Sequence, residues 1–221
     1  MDLFDIIGPV MVGPSSSHTA GAARIGQVTL SLLGEPVAGA KIGFHGSFAK
    51  TYRGHGTDRA VVGGLMGMGV DDLRLRRSLS LAQEQGLSFT FETIRLRGVH
   101  PNTLVIDAWG FSGKTICVQA SSVGGGNIMI NSLNGLDVGF SGKENTLIIQ
   151  HQDAPGAIAS VSGLLAGWRL NIATMRVFRK EAGSEAVMAI ELDDPLEPRL
   201  LHALEAVHGI RSVTYLARRQ A

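Results

Sequence analysis

Ala22, Ile25, Val28 and Leu32 recur at the spacing that lines one face of an α-helix, and the pattern stops at Gly34. Ala40, Ile42 and Phe44 then alternate as on a half-buried strand. Val61 with Leu65 and Val62 with Met66 form i, i+4 pairs, which predicts a second helix starting near Thr57 and Asp58, both residue types that suit a helix N-terminus. Beyond it the period falls to two: Phe89/Phe91/Thr93, Leu104/Ile106/Ala108, Ile116/Val118/Ala120 and Ile128/Ile130 each read as strands. Gly110-Phe111-Ser112-Gly113 connects two of them as a hairpin. The expected fold class is α+β, with an N-terminal α/β sandwich built on one mixed or antiparallel sheet and helices on one face.

The polar link Ser141-Gly142-Lys143-Glu144 introduces a second pattern, so domains are expected at 1–142 and 143–221. Thr146 to Gln150 reads as a strand. Pro155 stands where a helix start tolerates it, and Ile158, Val161, Leu164 and Leu165 give one apolar face closed by Gly167. Strands follow at Asn171 to Phe178 and Ala186 to Leu192. Leu200, Leu204 and Val207 give a helix ended by Gly209, and Val213 to Leu216 a last strand. That βαββαβ order is ferredoxin-like.

Composition narrows the classes. With 221 residues, 44% hydrophobic and 18% charged, the chain can bury real cores and lies outside the disordered range. Its net charge is +1, and apart from Arg74-Leu75-Arg76-Arg77 and Arg218-Arg219 its basic residues are scattered, which argues against nucleic acid as a partner. No run of apolar residues is long enough to span a membrane, and the N-terminus lacks the features of a signal peptide, so a cytoplasmic protein is expected. The one cysteine, Cys117, lies in an alternating stretch and reads as a strand residue, which excludes a disulfide framework or an intrachain cysteine metal site.

The chemistry gathers in loops. Gly8, Gly13, Gly46, Gly54, Gly56 and the run Gly124-Gly125-Gly126 fall between periodic segments, where backbone turns sharply or approaches another group closely. Gly13-Pro14-Ser15-Ser16-Ser17-His18-Thr19 sets hydroxyls and an imidazole ahead of a predicted helix, whose first amides attract anions such as a carboxylate. Gly54-His55-Gly56-Thr57-Asp58 repeats that logic, with the imidazole between two glycines. Helices lying side by side would bring His18 and His55 together. Taken singly, a serine-rich loop is usually a cap and a lone histidine usually a satisfied side chain. His100-Pro101-Asn102 and Ser122-Val123-Gly124-Gly125-Gly126 are also explained by turn chemistry between strands. The glycine run lacks the Lys-Ser/Thr ending of a phosphate loop.

Two resemblances follow from these residues. Gln152-Asp153-Ala154-Pro155-Gly156-Ala157-Ile158, with Trp168-Arg169-Leu170-Asn171-Ile172, resembles the ACT domain, a ligand-sensing module of amino-acid metabolism. The likeness implies self-association and an amino-acid or ion effector held by Asp153, Gly156 and Asn171; the plain alternative is that Asp153, Pro155 and Gly156 only shape the helix start. GPSSSHT, GSFAKTYRGHGTD at 46–58, HPN at 100–102 and SSVGGG at 121–126 resemble the beta domain of the bacterial iron–sulfur L-serine dehydratases.

That second likeness spans, with the ACT-like end, nearly the whole chain. It implies an L-serine ammonia-lyase, converting L-serine to pyruvate and ammonia with a [4Fe-4S] cluster. Because this chain has one cysteine, the resemblance implies that the cluster sits on a partner alpha subunit and that the chain is inactive alone. It further implies His55 as the base for the Cα proton and His18 as an orienting or relaying group. Ser16, Ser17, Thr19, Thr57 and Asp58 would bind substrate, Asp58 by capping the helix or fixing His55. The competing class is a non-catalytic amino-acid sensor, resembling the C-terminal domains of phosphoglycerate dehydrogenase, although a sensor has little need for glycine-flanked imidazoles beside hydroxyl-rich helix starts.

Overall fold

A computed structural model of the chain describes residues 10–218; Gly8 and Arg219 lie outside the described residues. The chain divides into two compact units between Gly135 and Leu136.

In the first unit a π turn, Ser16–Ala20, runs directly into α1 (Gly21–Leu33), which ends on Gly34 at φ 76°, a conformation glycine adopts without strain. β1 (Val37–His45) follows, then the short α2 (Gly46–Thr51) and α3 (Thr57–Leu65). A 3₁₀ turn, Leu73–Arg77, and α4 (Ser78–Glu84) lead to β2 (Ser88–Ile94). β3 (Thr103–Gly110), β4 (Thr115–Gly124) and β5 (Asn127–Leu133) complete the unit. The unit's strands lie in the order β2-β1-β3-β4-β5.

The sheet is mixed. β1 and β2 are parallel, as the helical crossover between them demands; β1 and β3 pair antiparallel, and β3–β4 and β4–β5 are antiparallel hairpins. The alternation read from the sequence is the burial pattern on β1, β3, β4 and β5, whereas on β2 Phe89 and Phe91 are half-buried and Thr93 is exposed. Ala40, Ile42 and Phe44 on β1, with Leu104 and Ile106 on β3, are fully buried, as are Ile25 of α1, Phe48 of α2 and Leu65 of α3. The segment from Leu73 to Glu84 carries helical turns that no amphipathic stripe announces, because Leu75 and Ala82 are its main buried apolar contacts.

The second unit holds β6 (Leu136–Phe140), β7 (Asn145–Gln152), α5 (Ala157–Gly167), β8 (Ile172–Arg179), β9 (Glu185–Leu192), α6 (Pro198–Glu205) and β10 (Ile210–Leu216). β7 to β10 form an antiparallel sheet in the order β10-β7-β9-β8, the strand order of a ferredoxin-like βαββαβ unit. Leu147, Ile149, Met188 and Ile190 from the sheet close on Val161 and Leu165 of α5 and on Leu200 and Leu204 of α6. β6 lies against β8, and Arg176 donates to the Gly139 carbonyl at 2.8 Å. α5 ends on Trp168, and the left-handed position after it is Arg169, at φ 58°, rather than Gly167. Among the described residues no helix is long and apolar enough to cross a membrane.

Candidate active site

The site is built by two helices that run side by side in the same direction. Gly26 on α1 and Gly64 on α3 make this possible: a Cβ at Gly26 would strike the Val61 carbonyl oxygen, and one at Gly64 the Ala23 carbonyl oxygen. Backbone therefore meets backbone, and both helix starts lie at one end. There the Thr19 hydroxyl donates to the His55 carbonyl at 3.0 Å, while at the other end Gln27 Nε2 donates to the Met68 carbonyl at 2.7 Å.

His18 lies within the π turn rather than in a loop before the helix, a feature often met at functional sites. Ser15 caps that turn, its hydroxyl accepting from the His18 N–H at 3.2 Å. The His18 ring is held at both nitrogens: Nδ1 lies 3.1 Å from Ser17 Oγ and 3.3 Å from Ser15 Oγ, and Nε2 lies 3.1 Å from Ser47 Oγ. The edge of Phe48 packs against it at 5.3 Å between ring centroids. Burial, and then the neighbouring His55, hold its pKa below the usual histidine value. His18 is consequently neutral at pH 7.

His55 stands 4.7 Å from His18 between ring centroids, the two rings nearly perpendicular at 83°. The two histidine loops thus converge. Unlike His18, His55 has a buried ring nitrogen, Nδ1, with no hydrogen-bond partner. Gly56, in the left-handed conformation at φ 67°, takes the N-cap position of α3 that Thr57 and Asp58 would have suited. Thr57 is fully buried and its hydroxyl has no partner. Asp58 turns its carboxylate back to the Arg59 N–H at 2.8 Å, and burial raises its pKa above the usual carboxylate value. Thr19 is buried and committed to the His55 carbonyl, so its hydroxyl ties the two loops together. Ser16 and Ser17 are half-buried, and of the two Ser17 meets the ring.

The two remaining motifs reach the same place. Pro101 accepts from the Ser47 N–H at 2.8 Å, and a Cβ at Gly46, where φ is 58°, would strike the Pro101 carbonyl oxygen. Asn102 accepts in turn from the Ser122 N–H at 2.9 Å, and Ser122 presses on Gly21 at the start of α1. Asn102 Oδ1 and Ser122 Oγ are buried without partners. Orphan buried polar atoms are rare in folded proteins; here those of His55, Thr57, Asn102, Ser122 and Arg24 fall within one set of loops and the helix they touch. Ser47 and Arg24 were not singled out from the sequence. Ser47 stands inside the quoted GSFAK stretch, whereas Arg24 is one charge among scattered ones and nothing in the pattern marks it.

In the second unit Asp153 accepts from Arg179 Nη1 at 2.6 Å and from the Gly183 N–H at 2.9 Å, which together hold its pKa below the usual carboxylate value. Gly156 is the left-handed N-cap of α5 at φ 89°. Asn171 Nδ2 donates to Asp193 at 2.6 Å, at the opposite end of β8 from the Arg179–Asp153 pair. Eight strand residues separate those ends, about 23 Å, so one small ligand cannot touch Asp153 and Asn171 of the same copy.

The residues present do not fit an iron–sulfur cluster. Cys117 is the only cysteine, and its thiol is pushed up to about 12 by burial and by the facing Asp107. It sits on β4 about 16 Å along the strand from Ser122. Among the described residues no group of three or more His, Cys, Asp or Glu side chains is placed to hold a metal.

A family model described as the serine dehydratase beta chain matches residues 1–132. The chain is 42% identical to a protein named probable L-serine dehydratase, beta chain, of Bacillus subtilis, over 97% of each chain. It is 37% identical to the L-serine dehydratase, beta chain, of Peptoniphilus asaccharolyticus, over 96% of each. A D-3-phosphoglycerate dehydrogenase of Bacillus subtilis is 31% identical over 87% of this chain, which is 36% of that longer protein.

Proposed function

The chain belongs to the L-serine dehydratase beta chain family, and on that premise we propose that its His18–His55 cluster is the proton-handling half of an active site completed by an alpha subunit. The reaction converts L-serine to pyruvate and ammonia. Its difficult opening is removal of the Cα proton, a weak acid that needs a base held in place against it.

His55 is that base, and the observation that carries the assignment is the contrast between the two imidazoles. His18 is bracketed by hydroxyls at both nitrogens, whereas His55 keeps a buried Nδ1 uncommitted. The proton moves to the His55 ring and leaves an imidazolium 4.7 Å from His18. A neutral His18 tolerates the new charge, and its hydroxyl partners let it pass a proton outward. Ser16, Ser17 and the unpartnered Thr57 hydroxyl offer donors to the polar groups of the substrate, with Thr19 and Asp58 fixing the loops around them. The [4Fe-4S] cluster belongs on the alpha subunit, since the thiolates it needs are not in this chain.

The second unit is the regulatory part. Asp153 and Gly156 of one copy and Asn171 of another would frame an amino-acid or ion effector, because within one copy they lie at opposite ends of β8. Ile158 and Trp168 around α5 and Val177 on the edge strand β8 are exposed, which suits self-association. The sensor-only reading draws on a dehydrogenase likeness that covers about a third of that protein, while the near-complete matches are dehydratase beta chains.

The test is His55→Ala in the assembled alpha–beta enzyme. Loss of a general base lowers kcat about 10²- to 10⁴-fold, with cluster content unchanged by iron analysis and visible absorption. Near-normal turnover with an intact cluster would remove His55 from this role.

A further inference from the structure

Thr103, the first residue of β3, stands opposite Ser121 of β4, and both side chains are fully buried. Their hydroxyl oxygens lie 2.8 Å apart. Thr103 Oγ1 donates to the His100 carbonyl at 2.6 Å, and Ser121 Oγ lies 2.7 Å from the side-chain amide of Asn131. Asn131 reaches Ser121 because β5 bulges there: Gln119 pairs with Ser132 and Ala120 with Ile130, which leaves Asn131 as the extra residue between them. A bulge gives up ladder pairing to re-aim a side chain, and bulges gather next to active sites.

The protons give this row a direction. A carbonyl only accepts, so the one hydroxyl proton of Thr103 goes to His100. The Thr103–Ser121 contact then takes the proton of Ser121, and the contact with Asn131 takes one from the amide NH2 group. From Asn131 through Ser121 and Thr103 every donor points toward the His100 carbonyl, so each bond polarises the next. The carbonyls of His100, Pro101 and Asn102 are thereby held by three different parts of the first unit: the Thr103 hydroxyl at 2.6 Å, the Ser47 N–H at 2.8 Å and the Ser122 N–H at 2.9 Å. Ser47 in turn sets its hydroxyl 3.1 Å from His18 Nε2.

We infer that Thr103, backed by Ser121 and Asn131, is a positioning residue for the reaction: it fixes the His100-Pro101-Asn102 loop so that the Pro101 carbonyl holds Ser47 against His18. Thr103 acts through the backbone of that loop. Without its hydroxyl the His100 carbonyl loses its tie to the sheet, and a misplacement of about 1 Å at a site costs on the order of 10²-fold in rate. The inference rests on the reading of the His18–His55 cluster as the active site.

The experiment measures kcat and KM for L-serine in the assembled alpha–beta enzyme. Thr103→Val keeps the shape of the side chain and removes the hydroxyl; it is expected to lower kcat about 10- to 100-fold with KM changed less than about threefold. Thr103→Ser, which restores the hydroxyl, should recover kcat to within about threefold of the natural enzyme. Thr29→Val is the matched control, since Thr29 is a fully buried threonine whose hydroxyl donates to the Ile25 carbonyl at 2.9 Å, toward the other end of α1; its kcat should stay unchanged. If Thr103 acts through Ser47, the losses in Thr103→Val and Ser47→Ala do not multiply, and the double variant is no slower than the slower single one. Losses that multiply overturn the proposal, and so does a Thr103→Val enzyme no slower than Thr29→Val or no slower than Thr103→Ser. Should Thr103→Val not assemble, Ser121→Ala carries the same cycle with Ser47→Ala, and an unchanged kcat or multiplying losses overturn it. Near-normal turnover in His55→Ala removes the assignment of the base, whereas lost turnover there with an unaffected Thr103→Val removes this inference alone.

Discussion

His18 and His55 are the same residue type a ring's width apart, and their surroundings differ. Three serine hydroxyls bracket the ring nitrogens of His18, and burial holds its pKa below the ordinary value. The folded chain therefore binds a proton at His18 less readily than the unfolded chain does. As the pH falls through about 6.5, the unfolded chain takes up that proton first. Stability linked to His18 is thus complete above about 6.5 and declines as the pH drops toward the lower folded value. Urea midpoints measured between pH 7.5 and pH 5 should fall more steeply for the natural chain than for His18→Asn, and equal slopes would show that His18 titrates as a free histidine. The serine-rich stretch was legible as a site because hydroxyls and an imidazole crowd a helix start. Ser47 was not, since its contact with His18 Nε2 joins positions 29 residues apart.

The parallel pair α1 and α3 sets the site, and two glycines set the pair. Gly64→Ala would force a methyl group into the Ala23 carbonyl, a rigid backbone neighbour that cannot swing aside. It should cost about 1–3 kcal/mol of unfolding free energy and lower turnover by separating the loops that Thr19 ties together. Gly163 in α5 offers the contrast, because a Cβ there meets nothing within 4 Å. Gly163→Ala should stabilise the chain by about 0.5–1 kcal/mol, and urea unfolding of the two variants should move in opposite directions. Periodicity marked both α1 and α3, since each carries an apolar stripe of its own. It passed over α2 and α4, whose few turns bury too few apolar side chains to leave a period.

For the whole molecule, the single cysteine governs what the chain does alone. Cys117 lies on a strand away from the histidines with its thiol far above the range of a ready metal ligand. Cys117→Ser in the assembled enzyme should leave iron content and turnover unchanged, and loss of iron would place a cluster ligand in this chain after all. The purified chain by itself should fold without forming pyruvate from L-serine. The sequence alone determined the α+β class, the βαββαβ order of the second unit and the histidine loops, because periodicity, turn residues and helix-start chemistry are local in the chain. Tertiary structure decided which of those loops share a site. The convergence of residues 13–19, 46–58, 100–102 and 121–126 depends on a mixed sheet and on backbone contact between two helices, and neither leaves a mark in any short window of sequence. For the same reason Arg24 gained meaning only in the fold, where its Nε is buried without a hydrogen-bond partner. Asp153 and Asn171, close in motif, fell at opposite ends of β8, because strand length sets the distance between them.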